Sequence, residues 1–384
     1  MIKVLTVVGA RPQFIKAAVV SQAMAECGQV KEILLHTGQH YDLQLSGALL
    51  KELRLPEPKY NLHVGSRSHG AQTARMLEGI EQVLLTECPH GVLVFGDANS
   101  ALAGALAAAK LHLPVAHIEA GVRSRNRLMP EEINRIITDH ISDWLFCPTE
   151  QARRNLAQEG ITSNVHWVGD VMYDAFLAAR TPALSRSEVL CRLHLSPHAY
   201  ALATVHRAEN TDVDSRLGGI VEALEIINRT LPVVFPVHPR TRKMLGEALC
   251  NDSSLKLSLI DPLGYIEMVA LESQAAVIIT DSGGVQKEAF WNGVPCVTLR
   301  CETEWPETVS AGANILAGTQ TEKIVESVLR AIGSPRRAPM DVFGNGRAAY
   351  QIAEHLVNAW KERAPASSGS ILSSRVRNEV ATVH

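Results

Sequence analysis

Carboxylates and imidazoles that close apolar runs are the residues of this chain best placed to move protons. Asp97 follows Val92–Phe95, Glu119 follows Val115–Ile118, and His206 follows Ala201–Val205. A carboxylate partly buried at a strand end has a pKa set by its surroundings, which suits a general acid or base. Glu131 comes just after Pro130 in a helix first turn, where acidic residues commonly complement the dipole. Taken alone Glu131 reads as structural, yet it is a third acid/base candidate. His206 stands beside Arg207, a pairing suited to proton carriage or phosphate contact. His36, His40, His117 and His238 also occupy suggestive places, and without an HExxH motif no metal site is expected.

Cations and glycines supply the other half of a reaction centre, the part that neutralises a leaving anion. GARPQFIK (Gly9–Lys16) is a glycine-opened turn with Pro12 at a helix start. From it Arg11 can fork onto a phosphate and Lys16 can add a point charge. Arg207, Arg240 and Arg242 are further phosphate candidates. After the run Ala276–Thr280 comes DSGGVQKE, where Ser282, Gly283 and Gly284 precede a helix expected from about Val285. Such a junction serves equally as a plain helix cap or as an anion site. Glu288, about two turns into that helix, could hold sugar or ribose hydroxyls.

These groups need a scaffold of strands with helices between them. Short apolar runs at Ile2–Val8, Ile33–Leu35, Val92–Phe95, Val115–Ile118, Leu145–Cys147, Val165–Val168, Ala201–Val205, Val233–Val237, Ala276–Thr280 and Cys296–Leu299 alternate with amphipathic stretches such as Pro12–Glu26, Ala101–Lys110, Glu131–His140 and Thr149–Gln158. That rhythm predicts an α/β fold of parallel sheets covered on both faces, with too many strands for one ordinary sheet. Two Rossmann-like, doubly wound domains are expected, over residues 1–170 and 171–343. A hinge is expected near Gly169–Arg180, a final long helix over 344–363, and 364–384 reads as a flexible tail. The strand-end motifs then line an interdomain cleft.

Composition narrows the function. The 384 residues are 46% hydrophobic and 20% charged, with net charge −3, which excludes wholesale disorder and the basic footprint of a nucleic-acid binder. The longest apolar runs are too short for a membrane span, and the N-terminal one is wrongly flanked for a signal peptide. Seven cysteines without a CxxC pair read as reduced thiols in a cytoplasmic protein.

Together the motifs GARPQFIK, HTGQHYD, FGDANS, HIEAGVRS, MPEEINR, HRAEN, PVHPR, TDSGGVQKEA and GRAA resemble those of the non-hydrolysing UDP-N-acetylglucosamine 2-epimerase family, in order and over nearly the whole chain. The resemblance implies a glycosyltransferase-B-like fold, a homodimer, no cofactor, and inversion at sugar C2 by elimination and re-addition of UDP. It places Arg11, Lys16, Asp97, Glu119, Glu131, Arg135 and His206 around the sugar and diphosphate, with Arg207 and His238 on the substrate side. Ser282, Gly283, Gly284 and Glu288 become the nucleotide turn and ribose anchor, and Leu263 and Met268 the uracil pocket.

Several positions depart from the family pattern. Gln13 stands where many members have Glu, Ala98 and Asn99 fall within what is often GDTT, and TEWPE puts Trp305 where many have Arg. Only Gln39–His40 is kept of the residues used for UDP-GlcNAc regulation in some members. The combination of RPQFIK, HTGQHYD and TEW resembles the branch acting on UDP-2,3-diacetamido-2,3-dideoxyglucuronate, which makes O-antigen precursors. The expectation is therefore an isomerase interconverting UDP-GlcNAc and UDP-ManNAc for surface polysaccharide. The diacetamido-glucuronate substrate is the nearest alternative, and a hydrolysing epimerase or a glycosyltransferase of the same fold are rivals of another class. A purely binding role would leave the carboxylates idle.

Overall fold

The computed structural model describes residues 1–39, 50–185, 188–250, 257–334 and 341–363. The expected tail 364–384, and His40 with the rest of its motif through Asp42, lie outside these residues. Two compact units divide the chain: Met1–Ala175 together with the segment from Val342 onward, and Phe176–Asp341.

In the first unit, β-branched and leucine-rich runs form strands because both faces of the sheet are covered. The order is β1 (Ile2–Val8), α1 (Arg11–Cys27), β2 (Val30–His36), β3 (Tyr60–Asn61), α2 (His69–Glu87), β4 (Gly91–Phe95), α3 (Asn99–Lys110), β5 (Val115–Ile118), α4 (Pro130–Ile141), β6 (Trp144–Cys147), α5 (Glu150–Gln158), β7 (Val165–Trp167) and α6 (Val171–Ser185). The seven strands lie in the order β3-β2-β1-β4-β5-β6-β7, all parallel. Strand order reverses between β1 and β4, and such switch points gather ligands at their carboxyl ends. Helix α3 crosses there on buried Ala101, Ala103, Ala105, Ala107 and Ala108, and these small side chains let it approach the sheet closely.

The second unit repeats the plan with α7 (Glu188–Arg192), β8 (Ala201–Thr204), α8 (Ala208–Thr211), α9 (Asp214–Asn228), β9 (Val233–Pro236), α10 (Pro239–Cys250, broken at Gly246), β10 (Ser258–Ile260), α11 (Tyr265–Gln274), β11 (Val277–Thr280), α12 (Gly283–Trp291), β12 (Cys296–Thr298), α13 (Pro306–Ser310), β13 (Asn314–Leu316) and α14 (Thr321–Ile332). Six parallel strands run β10-β9-β8-β11-β12-β13, with the reversal between β8 and β11. Val205, Ile220, Leu224, Ile279 and Val297 pack in its core. The last helix, α15 (Ala348–Arg363), packs on α1 in the first unit and sets Trp360 edge-on to Trp144 at 5.8 Å.

Three details differ from the sequence reading. Strands β3, β10 and β13 were not expected, being two or three residues long and too brief to show a period. Helix α12 begins at Gly283, two residues before the expected start. The chain is helical from Val171 through Ser185, across most of the expected hinge, and the two units join inside that helix. Among the described residues no helix is long and apolar enough to cross a membrane, and Cys27, Cys88, Cys147, Cys191, Cys296 and Cys301 form no disulfide.

Helix α6 holds α15 through one carboxylate. Asp174 Oδ2 accepts the backbone N–H of Ala349 at 2.8 Å, while Oδ1 is buried with no partner among the described residues. Burial raises the Asp174 pKa to about 6, against the opposing pull of the Ala349 and Ala348 N–H groups. The folded state thus binds this proton more tightly than the unfolded chain does. The associated stability is complete below the ordinary aspartate value of 3.8 and is lost as pH rises through about 6. Asp174→Asn removes the dependence. Its unfolding midpoint should gain on the parent by on the order of 2–3 kcal/mol between pH 4 and pH 7. Urea unfolding across that window checks this, and a pH-independent difference between the two proteins would contradict it.

Candidate active site

At the switch point of the first unit, β1 and β4 separate and a buried amide bridges them. Gln13 Oε1 accepts the N–H groups of Gly9 (2.8 Å) and Ala10 (3.0 Å) and the Ser100 hydroxyl (2.7 Å), and its Nε2 donates to the Phe95 carbonyl (2.8 Å). The glutamine that departs from the family pattern therefore fixes the turn that carries Arg11 and Lys16. Arg11 is half-buried at the first residue of α1, and Lys16 is buried one turn on.

Gly96 ends β4 with φ 61°, and its missing side chain makes room for the next contact. A Cβ there would lie 2.8 Å from Glu119 Oε2 and 3.2 Å from Lys16 Nζ. Lys16 and Glu119 form an ion pair in that space, their side chains only 7% and 10% exposed. Glu119 itself has φ 73°, a left-handed conformation uncommon for a residue with a side chain, and strain of this kind gathers at functional sites. It is imposed from β6, where the Phe146 carbonyl accepts the N–H groups of both Glu119 and Ala120 at 3.0 Å.

Asp97, the next residue after Gly96, pairs with Arg135 Nη2 at 2.5 Å, and Arg135 Nη1 donates to Glu132 at 2.6 Å. The structure thus brings four expected residues together as two carboxylate–cation pairs, Lys16–Glu119 and Arg135–Asp97. Glu131 is not part of this arrangement: it is half-buried and has no hydrogen-bond or ion-pair partner among the described residues. Its neighbour Glu132 is the engaged one, accepting from the Ser124 N–H and hydroxyl and from the Arg125 N–H. Burial works against the Glu132 charge, but the Ser124 N–H and the Arg135 guanidinium outweigh it and lower the pKa. Asn134 ties the same helix to Asp97 by donating to its carbonyl at 2.9 Å.

The second unit spans its own switch point with a carboxylate. Asp281, fully buried after β11, accepts the backbone N–H groups of His206 (3.1 Å) and Arg207 (3.0 Å) and the Asn210 side-chain amide (3.1 Å). The partly exposed His206 ring has Nδ1 3.4 Å from the same carboxylate and lies 5.7 Å from the exposed ring of His238. Arg207 Nε donates to the Asp281 carbonyl, and its Nη2 reaches Glu304 at 3.3 Å, itself held by the buried Arg300. Asp281 follows an apolar run just as Asp97 does, and that was the available signal. Glu304 and Arg300 gave none, because their pairing exists only in the folded chain.

Ser282 caps α12, its Oγ accepting from the Val285 N–H at 3.4 Å. The N–H groups of Gly283 and Gly284 have no acceptor among the described residues, which leaves them open to an anion. Glu288 is buried farther along the same helix, Leu263 is buried before α11, and Met268 is half-buried on it. Trp305 is buried as well, and its ring covers a cation. Lys287 Nζ lies 3.8 Å from the centre of its ring, and a Cβ on Gly283 would come within 3.2 Å of its Nε1. Among the described residues no cluster of His, Cys, Asp and Glu could hold a metal ion.

An arginine at position 305 would set a guanidinium against the buried Lys287. Trp305→Arg should therefore destabilise the protein by on the order of 2–4 kcal/mol, whereas Trp305→Phe, which keeps a π face over the ammonium, should cost less. Thermal and urea unfolding of the two variants measure the gap, and equal losses would show that the ring acts by volume alone.

The family model described as UDP-N-acetylglucosamine 2-epimerase matches residues 22–357. A Methanococcus maripaludis protein named UDP-N-acetylglucosamine 2-epimerase homolog is 51% identical over 93% of this chain and 99% of its own length. The UDP-2,3-diacetamido-2,3-dideoxy-D-glucuronate 2-epimerase of Pseudomonas aeruginosa is 50% identical over 92% of this chain and 99% of its own. The crystal structure of Methanocaldococcus jannaschii UDP-GlcNAc 2-epimerase in complex with UDP-GlcNAc and UDP superposes with TM-score 0.88 at 44% identity, covering 93% of this chain and all of that one. Its two Rossmann-like units have the glycosyltransferase-B architecture of these relatives. By motif order, fold and similarity along its length, the chain belongs to the UDP-N-acetylglucosamine 2-epimerase family.

Proposed function

We propose that the protein is a non-hydrolysing UDP-sugar 2-epimerase that interconverts UDP-GlcNAc and UDP-ManNAc. The observation that supports this reading is the pair of carboxylate–cation contacts on either side of Gly96, Lys16–Glu119 and Arg135–Asp97. Two carboxylates held by two cations are a poised acid/base set, because a substrate diphosphate competes for the cations and frees the carboxylates for proton transfer. In the forward step a carboxylate takes the C2 proton, the C2–H electrons form the C1=C2 bond, and the C1–O bond breaks so that UDP leaves with its electron pair. In the return step a proton reaches the opposite face of C2 and the UDP oxygen adds again at C1. Arg11, Lys16 and Arg135 neutralise the departing diphosphate. His206, with Arg207 and His238 near it, serves as a further proton carrier, and Glu131 takes part in binding or proton transfer from its half-exposed place. Ser282, Gly283, Gly284 and Glu288 hold the nucleotide, with Leu263 and Met268 against the base.

The UDP-2,3-diacetamido-glucuronate substrate is a second reading, favoured by 50% identity to the Pseudomonas aeruginosa enzyme. Supply of surface-polysaccharide precursors, a cytoplasmic location and a homodimer complete the proposal. A panel of UDP-sugars followed by NMR for C2 inversion separates the substrates, and release of free sugar would point instead to a hydrolysing enzyme.

Turnover in D₂O should place deuterium at C2 of the product, because the proton-carrying groups exchange with water before re-addition. Asp97→Asn and Glu119→Gln should each suppress that exchange while UDP binding, read by calorimetry, stays largely intact. An inverted product free of deuterium would rule out solvent-exchanging proton transfer.

Arg11→Ala should lower kcat by on the order of 10²–10³ through lost charge stabilisation of the leaving group. Unchanged steady-state kinetics in the folded variant would remove Arg11 from the phosphate site.

A further inference from the structure

Behind the Gly96 turn lie three buried ionisable side chains, His117, Arg123 and Asp139, that the proposed reaction does not use. His117 sits on β5 two residues before Glu119 and is 0% exposed. Its Nε2 lies 2.8 Å from the carbonyl oxygen of Gly96, and its Nδ1 lies 2.7 Å from Asp139 Oδ1 on α4. A carbonyl oxygen only accepts, so Nε2 must carry hydrogen. Asp139 Oδ2 already accepts the Gly121 N–H at 3.1 Å and Arg123 Nη1 at 2.7 Å, contacts that favour the ionised carboxylate. Burial alone would raise the Asp139 pKa, but His117 and Arg123 outweigh it and lower it. With Asp139 ionised, Nδ1 must carry hydrogen as well.

Arg123 is shared between Asp139 and Glu159, with Nη2 2.7 Å from the latter. From β6 the Cys147 thiol lies near Asp139, and burial pushes it up and keeps it neutral.

We propose that His117 is a positioning residue held as a buried imidazolium, gripping the Gly96 carbonyl from behind and thereby setting the Asp97 and Glu119 carboxylates. Its grip fixes the peptide plane from which Asp97 departs. Its charge lies across Gly96 from the Lys16–Glu119 pair and favours the ionised carboxylates there. This role rests on the reading that Asp97 and Glu119 move protons, whereas the protonation state does not depend on it.

The test uses the full-length protein. In ¹⁵N-histidine-labelled enzyme at neutral pH, the His117 ring, assigned by its coupling to the Gly96 carbonyl, should show hydrogen on both nitrogens, and hydrogen on one alone overturns the proposal. His117→Gln keeps a donor for Gly96 but loses the charge. It should lower kcat by on the order of 10² with KM little changed, and should move the acid limb of the kcat/KM profile to higher pH. A folded His117→Gln enzyme with parental kcat and pH profile, or one that loses only melting temperature, overturns the positioning role. Should that variant fail to fold, Asp139→Asn gives the same reading, since its imidazole should fall to a single ring hydrogen with a comparable loss in kcat. Full turnover by Asp97→Asn and Glu119→Gln, with both His117 hydrogens present, would sink the proton-transfer assignment while leaving the imidazolium in place.

Discussion

In each parallel sheet, the two strands flanking the reversal of strand order send their following loops in opposite directions, so backbone groups at their carboxyl ends lose their ladder partners. The turns that carry the candidate site residues depend on how that gap is closed. In the first unit the Gln13 amide closes it, joining the turn after β1 to the end of β4. In the second unit the Asp281 carboxylate does so, joining the end of β11 to the turn after β8. Both groups are buried, and both satisfy backbone N–H groups that would otherwise cost on the order of 1–3 kcal/mol each to leave unpaired. The same contacts fix the Arg11–Lys16 turn in one unit and the His206–Arg207 turn in the other. A neutral amide and a carboxylate do the same geometric work with different electrostatic consequences, since Asp281 also places negative charge beside an imidazole.

Pairing opposite charges lets both units concentrate ionised groups without leaving any of them isolated in a poorly solvated setting. Lys16 with Glu119, Arg135 with Asp97 and Glu132, and Arg300 with Glu304 each offset part of the desolvation that burial imposes. A buried carboxylate without a cation holds its proton to higher pH, as Asp174 does with its pKa raised to about 6. The paired ones keep their charge and remain responsive to any anion that competes for the cation.

Fold class was legible in the sequence because buried parallel strands are continuous apolar runs, and runs such as Ile2–Val8 and Val115–Ile118 coincide with β1 and β5. Strand ends were legible for the same reason, and they pointed to Asp97, Glu119, His206 and the glycine turn after β11. What could not be read was pairing. Gln13 reaches Phe95 across 82 positions and Asp281 reaches His206 across 75, and no local pattern announces contacts of that span. Which of Glu131 and Glu132 is held by Arg135 was hidden likewise, because it depends on which face of α4 meets the Ser124 loop. His117 was noted only as a histidine at an apolar strand end; its partners come from α4 and from the turn after β4.

The indole of Trp305 lies flat over a buried ammonium and close against the first glycine of α12. The energy of an indole excited state follows the electric field along the ring, and here one strong source of that field is fixed in place by the fold. An anion arriving at the free N–H groups of Gly283 and Gly284 adds a second source of opposite sign on the neighbouring side. One of the chain's five tryptophans is thus an optical gauge of occupancy at that helix end, with no attached dye.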